Sequence, residues 1–328
     1  MACKLPVIAV VIGDPAGIGP EVCVKAAADG ALDGQCLPLL IGDAQVVRQA
    51  ARFAGVSLPV VVLPRPDAEV MKPGQIHVLD PGGFDASALR MARVSAANGH
   101  AVLAAMKLGA EMGRHGLIQG LVWGPVHTDS MKATGLITDI DELQPAGTFM
   151  LRLSGPLRLV PLSEHVPLAR AIELVTPESV LKLVRLLHET LRSWGWATPR
   201  IAVAGVNPHA MFEDDHRRID PAVASARSEG INVVGPIAPD SVFRMSIEGR
   251  YDAVVTMFHD QGQIVIKTVG FAGACTVYIG LPYVLLNVPH GTAFDIAGKG
   301  VAQHQSMLAA FETATRLASG QGLKVAAA

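Results

Sequence analysis

The sequence predicts an α/β protein of two lobes built on largely parallel sheets. Short runs of Val, Ile and Leu alternate with amphipathic stretches along the whole chain, as repeated βα units require. Half of the 328 residues are hydrophobic and 17% are charged, enough to bury a large core and to exclude a disordered chain. Aromatic residues are only 5%, so that core is aliphatic. The length admits one large domain or two ordinary ones, and two successive series of strands favour two.

The elements follow in order. Pro6–Ile12 reads as the first strand, followed by a Gly/Pro turn and a helix from Pro20 to Ala28. Leu37–Ile41, Leu58–Leu63 and Gly120–Trp123 are further buried strands, and Ser95–Gly113 is a long alanine-rich helix ending before Gly116. A second series begins with a strand at Leu157–Leu162. Pro177–Trp194 is a helix that Thr176 caps and Pro177 opens, with Leu181, Leu183, Val184 and Leu187 as its apolar positions. Strands at Arg200–Val206, Ile231–Val234, Asp252–Phe258, Cys275–Ile279 and Tyr283–Asn287 follow, and Val301–Leu317 closes the chain as a helix. The first lobe takes residues 1–122 and 290–328 and the second takes 123–289, with the site in a cleft between them.

Composition also excludes functions. With 27 basic and 29 acidic residues the net charge is −2, leaving no cationic excess for nucleic acid. No apolar run reaches the roughly 18–20 residues of a membrane span. Met1-Ala2-Cys3-Lys4 lacks the pattern of a secretory leader. Cys3, Cys23, Cys36 and Cys275 are widely spaced and form no CxxC pair. They read as reduced thiols of a cytoplasmic protein.

Three histidines share one setting. His165, His209 and His259 each follow a predicted buried strand, the position where open α/β sheets place ligands. Three imidazoles with open positions suit Zn²⁺ or a similar Lewis-acidic ion; the alternative is three ordinary loop histidines among the chain's eleven. Lys267 ends the apolar run Gln263–Ile266, a costly place for a charge without an anionic partner. Asp240, after Pro239, is either a helix cap or an acid of the site. Two glycine-rich stretches remain. Gly13–Glu21, with Gly13 and Gly17, joins the first strand to the first helix but is neither GxGxxG nor a P-loop. His290-Gly291-Thr292-Ala293-Phe294-Asp295, continuing to Gly300, is a loop whose glycines and His/Asp pair suit a bound ligand.

These segments together resemble the 4-hydroxythreonine-4-phosphate dehydrogenase (PdxA) family nearly end to end. The resemblance rests on Gly13–Glu21, Gly124-Pro125-Val126-His127, Asn207-Pro208-His209, His259-Asp260-Gln261-Gly262 with Lys267, Gly280-Leu281-Pro282 and His290–Gly300. The last loop is also similar to the NAD loop of isopropylmalate and isocitrate dehydrogenases. The resemblance implies a homodimer of two-lobed α/β/α subunits, an active site near the subunit interface, and a metal on His165, His209 and His259. It implies catalytic roles for Lys267 and Asp240, and NAD or NADP against His290–Asp295 near Gly13 and Gly17. Zn²⁺ is the favoured ion, with Mn²⁺, Co²⁺, Ni²⁺ and Mg²⁺ also compatible.

The sequence departs from the phosphate-substrate pattern at three places. Asp139-Ile140-Asp141-Glu142 stands where those members carry Gly-His-Thr-Glu, Leu285 stands for a substrate-binding Arg, and Thr276 for an Asn. Acids gained and a guanidinium lost disfavour a phosphate dianion; Arg152, Arg158 and Arg170 are the cations available to compensate. The expectation is therefore a metal-dependent NAD(P) dehydrogenase of a carboxylated diol, terephthalate 1,2-cis-dihydrodiol, with oxidation followed by decarboxylation. The alternatives are 4-hydroxythreonine 4-phosphate, as in pyridoxal phosphate biosynthesis, a phosphorylated sugar acid, or a metabolite-binding protein without turnover.

Overall fold

The computed structural model describes residues 5–269, 275–288 and 290–323. The chain forms two compact units, Met1–Ala146 with Leu281–Ser319 and Gly147–Gly280 with Gly320–Ala328. They exchange at 146/147 and 280/281, whereas the sequence reading placed the exchanges at 122/123 and 289/290. The segment after Trp123 belongs with the first unit because Asp14 donates its amide to the Pro125 carbonyl at 3.0 Å.

The first unit starts with β1 (Val7–Val11), α1 (Gly19–Ala27), β2 (Leu37–Ile41), α2 (Ala44–Ala54), β3 (Val60–Val62), β4 (Ile76–Leu79), α3 (Ala96–Arg114), β5 (Gly120–Trp123) and α4 (Thr128–Lys132). The second unit carries β6 (Phe149–Ser154), β7 (Leu157–Pro161), α5 (Leu168–Leu174), α6 (Pro177–Ser193), β8 (Ile201–Ala204), α7 (Glu213–Ser228), β9 (Val233–Ile237), α8 (Pro239–Ile247), β10 (Ala253–Thr256), α9 (His259–Val269) and β11 (Cys275–Ile279). The chain then returns to the first unit with β12 (Val284–Asn287) and α10 (Gln305–Ala318).

Within the first unit the strand order is β3-β4-β2-β1-β5-β12, and these pairs are all parallel. Within the second it is β11-β6-β7-β10-β8-β9, in which β11, β6 and β7 are antiparallel neighbours and the rest run parallel. The expected α/β class with mostly parallel strands is therefore what the chain adopts. Strands β1, β5, β8 and β10 are buried along their whole length, which explains their unbroken apolar sequences. Leu157, Leu159, Ala202, Ala204, Val242, Phe243, Val254 and Ile266 form one apolar cluster in the second unit.

The sequence reading gives no range for strands β4 and β6 or for helices α2, α4, α5, α7, α8 and α9. Strand β6 joins β7 through Gly155-Pro156, with Ser154 opposite Leu157 and Gly155 at φ 54°. Arg152 in its centre interrupts the apolar pattern that would have marked the strand. Strand β4 is only four residues long. Helix α2 carries the signals it should, an Asp43 cap on the Val46 amide and a left-handed Gly55 at its end. The closing helix begins at Gln305, later than expected, because residues 300–302 are held by α1, as described below. Of the cysteines, Cys23, Cys36 and Cys275 are free thiols, and Cys3 lies outside the described residues. No helix among the described residues is long and apolar enough to cross a membrane.

Thr176 caps α6 by accepting from the Ser179 amide at 3.2 Å, while the Ser179 hydroxyl accepts from the Thr176 amide at 3.0 Å. Thr176→Ala is expected to lower stability by about 1 kcal/mol. Leu187→Ala, at a fully buried position on the same helix, is expected to cost about 2–5 kcal/mol. Urea unfolding followed by circular dichroism measures both, and equal losses would contradict the assignment of Thr176 as a cap.

Candidate metal centre and cofactor loop

In the second unit, parallel pairing sets Leu159 beside Val254 and Pro161 beside Thr256. The chain leaves both strands at the same edge. The Leu162 amide still donates to the Thr256 carbonyl at 2.8 Å, and the Ser163 hydroxyl to the Met257 carbonyl at 3.3 Å. Glu164 and His165 are thereby carried to His259, the first residue of α9. The His165 and His259 rings lie 4.9 Å apart at 57°. One donor atom from each of Glu164, His165 and His259 falls within 4.8 Å of the others. Two donors on one divalent ion stand roughly 3–4 Å apart, so a small side-chain adjustment closes the set around a cation.

Glu164 and His259 each have an outer partner. Arg152 grips Glu164 with both ends of its guanidinium, at 2.9 and 2.6 Å. The Nδ1 of His259 pairs with Asp260 at 2.7 Å, which leaves Nε2 as its ligand atom. Gln261 accepts from the Met257 amide and donates to the Gly205 carbonyl, both at 2.8 Å, tying this turn to the one after β8.

His209 occupies that neighbouring turn and lies outside the Glu164–His165–His259 group. Its Nδ1 faces Asp240 at 3.2 Å. His209 and Ala210 both adopt positive φ, 59° and 52°, a conformation L-residues hold only under constraint. Asp215 supplies the constraint. Fully buried, it accepts from the amides of Val206 (2.6 Å) and Asn207 (3.0 Å) and from the Asn207 side chain (3.0 Å).

In the first unit the two glycine-rich stretches meet. The Ile18 amide donates to the Thr292 carbonyl at 2.9 Å, and a Cβ on Gly17 would lie 2.8 Å from that of Thr292. Gly13, at φ 79°, leaves no space for a side chain against the Pro125 carbonyl. The far end of the loop is pinned by α1. Buried Glu21 accepts from the amides of Gly300 (3.2 Å) and Ala302 (2.8 Å), and Lys25 donates to the carbonyls of both at 2.9 Å. Phe294 stacks on His127, centroids 4.7 Å apart. His290 is half-buried, with its Nδ1 3.3 Å from the Gly291 carbonyl, and Ala293 sits at φ 41°. Gly291 and Asp295 are exposed, with open space where a Gly291 side chain would be. The buried Nδ1 of His127 has no hydrogen-bond partner among the described residues. Open backbone, an exposed acid and an imidazole nitrogen without a hydrogen bond among the described residues fit a polar cofactor.

Asp14 lies under this loop, fully buried. One oxygen accepts from the Ala16 amide at 2.9 Å; the other has no hydrogen bond among the described residues, with Ser130 nearby but outside bonding geometry. Burial pushes its pKa up, and the Ala16 amide, Ser130 and His127 only partly oppose it.

The remaining expected residues are dispersed. Lys267 is on an exposed position of α9, so the desolvation argued from its apolar neighbours does not arise; Ile266 is buried and Ile264 exposed, because the run is helical. Asp141 and Glu142 lie in a 3-10 turn, Ile140–Leu143. The Glu142 carboxylate accepts from the Thr138 hydroxyl and from the amides of Thr138 and Asp139, which close a capping box. Those bonds hold its pKa below the usual carboxylate range. Leu285 is 0% exposed in β12, opposite Leu121. Thr276 is in β11, opposite Arg152. The compensating arginines are already engaged: Arg152 with Glu164, Arg158 with the Asp252 carbonyl and the Trp196 ring, Arg170 with Glu173. Sequence reasoning missed Glu164, Asp215, Glu21 and Lys25; only Glu164, adjacent to His165, carried a signal.

The family described as pyridoxal phosphate biosynthetic protein PdxA matches residues 34–314. A Novosphingobium aromaticivorans protein, provisionally named a 4-hydroxythreonine-4-phosphate dehydrogenase, is 43% identical over 98% of this chain and 97% of its own. The chain belongs to the PdxA family. Its chemistry is that of an oxidoreductase. A provisionally named D-threonate 4-phosphate dehydrogenase of Clostridium botulinum is 35% identical, covering 95% of this chain and 96% of its own. The crystal structure of 4-hydroxythreonine-4-phosphate dehydrogenase from Klebsiella pneumoniae has a TM-score of 0.82 at 34% identity, over 95% of this chain and 99% of that one. A terephthalate 1,2-cis-dihydrodiol dehydrogenase from Burkholderia xenovorans is more distant, with a TM-score of 0.76 at 29% identity, over 95% and 98%.

These findings overturn the expectation of a terephthalate dihydrodiol substrate and its decarboxylation. The higher identities belong to relatives named for phosphorylated substrates. At two of the departing positions the residue has a structural role: Glu142 closes a turn, and Leu285 is core.

Two outcomes test these assignments. Glu21→Gln is expected to speed amide exchange at Gly300 and Ala302 about tenfold, equivalent to about 1.4 kcal/mol; unchanged protection would refute the pinning. Because the folded pKa of Asp14 is raised, its contribution to stability is full below about pH 4 and is lost as pH rises through the folded value. The melting temperature of Asp14→Asn relative to the unaltered protein is therefore expected to rise as pH goes from 4 to 7. A difference that does not change with pH would refute it.

Proposed function

We propose that this chain is a NAD-dependent, divalent-metal-dependent dehydrogenase of a phosphorylated four-carbon hydroxy acid, with 4-hydroxythreonine 4-phosphate as its substrate. The observation that carries the reading is the convergence of His165, His259 and a carboxylate at the ends of β7 and β10, in a chain 43% identical to a relative named for that substrate. The 35% identity to a relative named for D-threonate 4-phosphate supports that sugar acid as a second substrate.

When bound, the ion supplies Lewis-acid polarisation of the reacting hydroxyl and the nicotinamide supplies the hydride acceptor. The residues around them do the rest. His165 and His259 hold the ion, with His259 fixed by Asp260. His209 is the third imidazole of this reading, and Asp240 on its Nδ1 leaves Nε2 to act. Lys267 provides an exposed cation on α9, a helix that begins with His259, without an ion pair among the described residues, and neutralises substrate charge. Asp240 and Lys267 are the candidates for moving the hydroxyl proton. Oxidation leaves a ketone β to the substrate carboxylate. His290–Asp295 would hold the cofactor, and Gly17 lets the first glycine-rich turn pack against Thr292 of that loop. The exposed Asp295 carboxylate is suited to ribose hydroxyls and repels the 2′-phosphate of NADP.

The purified protein is expected to form NADH from 4-hydroxythreonine 4-phosphate, and a chelator should abolish it. Lys267→Ala should lower kcat/KM about 10²–10³-fold. Failure to oxidise either phosphorylated acid, or equal turnover of the dephosphorylated compound, would overturn the reading.

A further inference from the structure

We propose that Glu164 is itself a ligand of the divalent ion, so that the centre is a mixed imidazole–carboxylate site with Arg152 as the clamp on its carboxylate. The inference rests on the metal-dependent reading above and adds a residue to it. Glu164 precedes His165 in sequence, and both side chains reach His259, the donor atoms of all three lying within 4.8 Å. A carboxylate has about four lone-pair positions, and the two bonds from Arg152, at 2.9 and 2.6 Å, leave the others open to a cation. Arg152 is nearly buried, its side chain 8% exposed, and that of Glu164 is 17% exposed. The pair is therefore a fixed feature rather than a mobile surface contact.

The guanidinium has a clear function in such a site. It holds the carboxylate in one orientation before the ion arrives, as second-sphere partners of metal ligands do. It also offsets the cost of holding a carboxylate that is only 17% exposed when no ion is bound. Asp260 does the same for His259 from the other side.

A carboxylate oxygen is a harder donor than an imidazole nitrogen. Imidazoles suit Zn²⁺, Co²⁺ and Ni²⁺, whereas carboxylates suit Mn²⁺ and Mg²⁺. A site containing Glu164 therefore gains Mn²⁺ affinity relative to one built from imidazoles alone.

The test is metal binding by the full-length protein without substrate or cofactor, after removal of metal by a chelator. Mn²⁺ is titrated by electron paramagnetic resonance, and Co²⁺ by its visible absorption. Glu164→Gln is expected to weaken Mn²⁺ binding about 10–100-fold and to alter the Co²⁺ spectrum. Because this change leaves Arg152 unpaired, a second variant combines Glu164→Gln with Arg152→Leu, which removes both charges; the same loss is expected there. Unchanged Mn²⁺ affinity and Co²⁺ absorption in either variant would overturn the proposal while leaving metal dependence intact. If the unaltered protein binds neither ion, both readings fall.

Discussion

Parallel pairing of β7 with β10 is the constraint on which the candidate centre depends. Two adjacent parallel strands end at the same edge of a sheet, so residues that follow them are neighbours in space however far apart in the chain. Here that rule brings Glu164 and His165 to His259. The hydrogen bonds from Leu162 and Ser163 extend the pairing past the end of both strands. They are what turn proximity of loops into proximity of side chains.

Buried carboxylates then shape the loops that the strands deliver. Asp215 gathers the amides of the strained turn before His209. Glu21, with Lys25, holds both the amides and the carbonyls of residues 300 and 302. In each case a charged group is removed from water and satisfied by backbone donors, which makes it costly to displace. Asp14 is the exception: one of its oxygens has no hydrogen bond among the described residues, and burial raises its pKa. The loops that face ligands are thus held from beneath by charges that do not face them.

The departures from the phosphate-substrate pattern carry a caution about reading substrate from absence. A carboxylate in a loop has several uses, and one oxygen of Glu142 accepts from Thr138 and Asp139. A leucine where an arginine was expected is a strand residue packed against its neighbours. The substrate class follows better from the relatives, whose likeness spans nearly the whole chain.

The sequence by itself determined the class of fold and most of its strands, because fully buried parallel strands must be continuous apolar runs. It also determined α6, through Thr176 and Pro177, since caps are local chemistry. It marked His165, His209 and His259 as residues following strands. What it left open was which strands are neighbours. Strand order is decided by packing of whole βα units, and no local signal states that β7 lies beside β10 and not β8. Only the tertiary structure therefore put Glu164 beside His259, set His209 against Asp240 instead, and moved Lys267 from a buried run to an exposed helix position. The strand β6 was hidden for a related reason. Its central arginine looks polar in sequence, and only its ion pair with Glu164 makes it acceptable in a sheet.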